Sequence, residues 1–121
     1  MLQSIASNHC LKEEIKVAEY EFESKIFKAM SEPTRLKILD LLSCCEMCAC
    51  DMLDSLSITQ STLSHHMKVL MSCGLVIGRK SATWMFYSIS QERVKMVQQF
   101  IEILTHPGEG CVFRPHQPDC E

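Results

Sequence analysis

Residues 59–74, TQSTLSHHMKVLMSCG, decide how this chain folds. Ser61, Ser64, His65 and Lys68 fall at i, i+3, i+4 and i+7, which is one polar stripe of a helix. Leu63, Met67 and Leu70 form the apolar stripe opposite. Thr59 can cap such a helix and Gly74 can end it, so the spacing predicts a helix over 60–72. A helix that packs by one stripe and shows hydroxyls, an imidazole and a lysine on the other has the geometry for a DNA major groove. Gln60 and Ser61, in its first turn, also bring backbone N–H groups toward a phosphate.

Working outward, Met52, Leu53 and Leu56 predict a short helix over 48–56, and Ser57-Ile58 a tight turn. Short helix, turn and longer helix make a helix-turn-helix. Downstream, 75–80 (LVIGRK) and 83–89 (TWMFYSI) are rich in β-branched and aromatic residues. They predict a two-stranded hairpin around Ser81-Ala82, with Arg79 and Lys80 near its tip as a DNA-binding wing. Apolar spacing predicts a helix over 11–30. Pro33 in a first turn, then Leu36, Ile38, Leu39, Leu41 and Leu42, predict a buried second helix over 33–43. The last helix, 91–104, is capped by Ser90 and carries two apolar stripes: Val94, Val97, Ile101 and Leu104, and Met96, Phe100 and Ile103. That is wide enough to cover its own domain and meet a partner helix. The expected fold is mainly α with a small β-hairpin, a winged helix-turn-helix in one domain over 1–121, with flexible tails at 1–10 and 105–121.

The charge agrees in its distribution, not its total. The chain of 121 residues has a formal net charge of −3, yet residues 55–91 contain no Asp or Glu and hold Lys68, Arg79 and Lys80. That window is where a polyanion can approach without repulsion. Three cations make a modest phosphate term, which a dimer would double. Hydrophobic content of 46% is that of a globular protein and excludes a disordered one. No apolar stretch approaches about 18 residues, so no membrane span is expected. The opening MLQSIASNHCLKEEIK lacks an export-signal pattern, so a cytoplasmic location is expected.

Eight cysteines in a reducing compartment point to metal binding or redox sensing rather than a disulfide framework. Four stand in residues 44–50, CCEMCAC. Cys48 and Cys50 are two positions apart, so on a regular helix they diverge by about 200°. They are expected to close on one ion only if the first turn of the third helix distorts. The same helix supports the reading helix, so that distortion would shift it off its groove. Cys44 and Cys45, four and three positions before Cys48, can supply a third thiolate. Three thiolates suit As(III) or Sb(III), the favoured inducers; four suit Cd(II), Pb(II) or Zn(II). Cys73, among apolar neighbours, reads as a small buried hydrophobe. His65 lies on the reading stripe, while His66, between Leu63 and Leu70, reads as a structural histidine. Cys111, His116 and Cys120 form a loose clip in the tail, where His106 and Glu109 read as ordinary residues.

EMCACDML, QSTLSHHMKVLMSCGLV and RKSATWMFYSIS closely resemble the ArsR/SmtB family of metal-sensing winged-helix repressors. Its members carry patterns like ELCVCDL, QSxxSHHLKxLxxxGLV and RxxGxWxxYSL. The resemblance implies a homodimer joined through the first and last helices and bound to double-stranded operator DNA until an inducer binds. It implies Gln60, Ser61, Ser64 and His65 as DNA-reading residues and Cys48 and Cys50 as the metal-sensing pair at the start of the third helix. Likeness to cadmium-sensing members would bring in Cys10 to complete a four-thiol site. Two positions depart: Ala82 replaces the usual wing glycine, and Leu53 stands where arsenic-type members often add a third cysteine. Residues 90–94, SQERV, lack the Asp and His of the second zinc site in zinc-sensing relatives.

An enzyme is not expected. Cys45 and Cys48 are formally CxxC but without a preceding strand, and no phosphate-cradling glycine loop or catalytic carboxylate pair is present. A thiol redox or persulfide sensor on the same fold is the rival reading.

Overall fold

The computed structural model describes residues 20–106. The elements run α1 (helical over 20–30), α2 (Pro33–Leu42), β1 (Met47–Cys48), α3 (Ala49–Leu56), α4 (Gln60–Ser72), β2 (Val76–Ser81), β3 (Trp84–Ile89) and α5 (Gln91–Thr105). The part of the first helix expected over 11–19 lies outside the described residues, as do Cys10, Cys111, His116 and Cys120.

The helix boundaries follow local chemistry. Glu32 caps α2 by accepting the Arg35 N–H at 3.0 Å, with Pro33 in the first turn. The Thr59 hydroxyl accepts the Thr62 N–H at 3.2 Å and starts α4. The end of α4 is a Schellman motif, in which the Gly74 N–H reaches Met71 O at 3.0 Å and the Leu75 N–H reaches Leu70 O at 3.1 Å. It needs the left-handed φ of +82° at Gly74, where an added Cβ would also stand 2.7 Å from Arg93 Nε. Ser57, at φ 55°, makes the turn between α3 and α4.

The core is a contiguous cluster that joins Ile26 and Ala29 of α1, Ile38 and Leu42 of α2, Met52 of α3 and Leu63, Met67 and Leu70 of α4. Leu75, Val76, Tyr87 and Val97 complete it from the wing and α5, and Cys73 is buried there as expected. Full burial of a side chain such as Met52 is worth about 1.5–3 kcal/mol. Leu36, expected inside, is 48% exposed, because α2 buries only one side. The stripes of α5 are buried at Val97 but exposed at Ile101, Ile103 and Leu104.

The sheet has three strands in the order β1-β3-β2, all antiparallel, where the sequence predicts only the hairpin. β1 pairs Met47 with Tyr87 and Cys48 with Phe86. A two-residue strand is too short to leave an alternation pattern. The hairpin turn is Ala82-Thr83, one position later than predicted, because Ser81 pairs with Trp84. Ala82 takes φ 57°, a left-handed conformation costly for an L residue with a Cβ.

Ala82→Gly is therefore expected to stabilise the wing. Relief of about 1–2 kcal/mol of left-handed strain exceeds the roughly 0.5–1 kcal/mol of extra unfolded-state entropy. Denaturant unfolding should show a small net gain; a loss would mean that Ala82 is not strained.

Candidate DNA-reading face and thiol pair

α4 packs Leu63, Met67 and Leu70 inward, and this turns Gln60, Ser61, Ser64, His65 and Lys68 to solvent. All five predicted reading residues thus share one exposed face of one helix. The helix is held in place at His66, which is 9% exposed. Arg35 of α2 reaches His66 Nδ1 with Nη1 at 3.1 Å and donates Nε–H to Ala29 O of α1 at 2.6 Å. One guanidinium so ties α1, α2 and α4 together, and His66 is a structural residue as its place in the sequence implies. Because Arg35 donates, Nδ1 must accept, which assigns the ring proton to Nε2.

Burial holds the His66 pKa below the ordinary histidine value, and the neighbouring Arg35 and His65 push the same way, against the Glu32 carboxylate 3.7 Å from Nδ1.

The wing carries Lys80 exposed at its tip, but Arg79 is not a free cation. Its Nε and Nη2 each donate to one carboxylate oxygen of Glu46 at 2.8 Å, a bidentate pair. The guanidinium lies 4.7 Å from the centroid of the Phe86 ring. Each partner shifts the other, lowering the Glu46 pKa and raising that of Arg79. The window without acids along the sequence is not without acids in space, since Glu46 enters it from 33 residues away. Glu46 and Phe86 are the residues sequence reasoning missed; no local signal marks a pair that only the sheet creates.

The thiols are arranged differently from expectation. Cys48 is not on the helix. It ends β1 and flanks α3 in an extended conformation, φ −84° and ψ 159°. Its Sγ lies 3.1 Å from the Cys50 Sγ, so the pair converges with the first turn of α3 undistorted. Two thiolates at about 2.3 Å from one ion would sit about 3.3–3.8 Å apart, so this pair needs only slight opening to serve as two ligands. The S–H···S contact with Cys50 is the main cause of a raised Cys48 pKa, so binding an ion here must displace a proton. Cys44 and Cys45 are exposed on the turn after α2. Among the described residues no three or more Cys, His, Asp or Glu side chains are gathered to hold an ion.

A buried-faced helix with an exposed polar stripe, reached through a short helix and a turn and followed by a hairpin, defines a winged helix-turn-helix protein. The chain belongs to the arsR family of bacterial regulatory proteins, whose pattern matches residues 32–77. It is a DNA-binding transcriptional regulator and not an enzyme. It is 44% identical to an arsenical resistance operon repressor of Staphylococcus xylosus, over 78% of this chain and 91% of that protein. A Staphylococcus aureus homologue of the cadmium resistance transcriptional regulatory protein CadC is 37% identical over 61% of this chain and 62% of that protein. The solution structure of a homodimeric winged helix-turn-helix DNA-binding domain from Mycobacterium bovis matches with a TM-score of 0.63 at 28% identity, covering 74% of this chain and 82% of that one. No helix of the described residues is long and apolar enough to cross a membrane.

A histidine held below its ordinary pKa stabilises the fold in its neutral form. That contribution is present above the unfolded value near 6.5 and is lost as pH falls from there through the folded pKa. The thermal midpoint should drop on acidification through this window, and His66→Gln should lose part of the drop. An identical pH profile in the variant would remove His66 as its source.

Proposed function

We propose that this protein represses transcription by holding double-stranded operator DNA through α4 and the wing, and releases it when Cys48 and Cys50 capture As(III) or Sb(III). The observation that carries this reading is the 3.1 Å approach of the two thiols at the joint between β1 and α3. The arsenical resistance repressor relative supports the choice of inducer. A third thiolate comes from Cys44 or Cys45 if the exposed turn moves toward the pair, or from Cys10, Cys111 or Cys120. The relative named for cadmium resistance supports a second reading with Cd(II), Pb(II) or Zn(II) in a larger site.

Release does not require bending the start of α3, as the sequence spacing suggested. β1 is hydrogen-bonded to wing strand β3, so movement at Cys48 passes into the wing through the sheet, and through α3 toward α4. The protein works as a homodimer through α1 and α5. Tyr20, Phe22, Ile101, Ile103 and Leu104 are exposed apolar residues on these two helices, and the M. bovis structure is a homodimer. A dimer doubles the positive charge offered to DNA. The single domain, with the segments beyond α1 and α5 as tails, is part of the same proposal.

Operator binding followed by fluorescence anisotropy tests both halves. Cys48→Ser and Cys50→Ser should bind operator like the unaltered protein yet keep it when arsenite is added, where the unaltered protein weakens about 5- to 150-fold. Loss of DNA affinity in the ion-free variants would make the thiols structural. Release by peroxide or persulfide but not by arsenite or cadmium would favour the redox reading.

Lys68→Ala should lower the slope of log affinity against log salt by about one, the signature of one lost phosphate contact. An unchanged slope would place Lys68 off the DNA.

A further inference from the structure

The cross-strand registers place Cys48, Phe86 and Arg79 in a single row across all three strands. Cys48 pairs with Phe86, and Phe86 pairs with Arg79. Directly opposed residues share a face of the sheet, and Glu46, two positions before Cys48, precedes β1 on the same side. Arg79 uses this row: its guanidinium passes over the Phe86 ring and closes on Glu46 with both oxygens. Its charge therefore points back over the sheet to the thiol segment.

We propose that Arg79 is a positioning residue, not a phosphate contact, and that its grip on Glu46 is the clasp through which the wing feels the state of Cys48 and Cys50. This rests on the ion-capture reading above. An exposed ion pair adds little to stability. Its bidentate fork, however, fixes one orientation of the two groups, and stacking on Phe86 removes the remaining freedom of the arginine. Glu46 and Cys48 are separated only by Met47. Any shift of the Cys48 sulfur toward a third ligand moves Glu46 with it, and Glu46 draws the β2 edge of the wing along through Arg79. Lys80, beside Arg79 on β2, is carried by the same movement.

The test compares Arg79→Met, Glu46→Gln and the swapped pair Glu46→Arg with Arg79→Glu. Three quantities are read: arsenite binding, by the ultraviolet absorbance of the sulfur–arsenic bond; operator affinity with and without arsenite; and the salt slope of the ion-free protein. Both single variants should bind arsenite like the unaltered protein. Their ion-free salt slopes should be unchanged, and their arsenite-induced loss of operator affinity should shrink at least 5-fold. The swapped pair should recover part of that loss. A slope lower by about one in Arg79→Met would make Arg79 a phosphate contact and overturn the proposal, as would full arsenite-induced release in Glu46→Gln. If the unaltered protein binds no arsenite, the ion-capture reading fails. The clasp's role in placing the wing then stands or falls on the ion-free comparison alone, an unchanged slope supporting it and a drop of about one overturning it.

Discussion

Two residues of backbone pairing, Met47 and Cys48 against Tyr87 and Phe86, hold the sensing segment and the wing in one sheet. Without this pairing the chain between α2 and α3 would be a loop. With it, Cys48 is fixed at the edge of the wing in an extended conformation and Cys50 opens the helix beside it. The change from strand to helix between them is what turns the two sulfurs toward each other. On a continuous helix they would point apart. Glu46 is brought to Arg79 by the same pairing.

The reading helix is held by different forces. Its apolar stripe is buried against α2 and α3, so the energy that orients it is hydrophobic and largely insensitive to what happens at its surface. Arg35 supplies direction, locking the helix at His66 to the ends of α1 and α2. The exposed stripe of Gln60, Ser61, Ser64, His65 and Lys68 makes few contacts of its own, as befits a face kept for a partner. Stiff placement of α4, together with a lightly held wing, lets one part of the molecule stay set while another moves.

Much of this was legible in the sequence. The 3.6-residue spacing in 59–74 marked α4 to the residue, because capping hydroxyl, apolar stripe and terminal glycine all agreed. Hairpin, last helix and buried Cys73 were equally plain. The three-residue tolerance of helix ends explains why α3 began one position later than expected. Leu36 shows the limit of composition: a run of leucines says that a helix is buried somewhere, not which of its sides.

Local spacing and capping chemistry by themselves settled the helices, the hairpin and which stripe of α4 faces out, since those depend on residues within one or two turns of each other. Only the tertiary structure decided that Cys48 belongs to a sheet and that Arg79 is committed to Glu46. Both rest on pairings between segments some 30 to 40 residues apart, whose geometry is set by how strands align and not by any period along the chain.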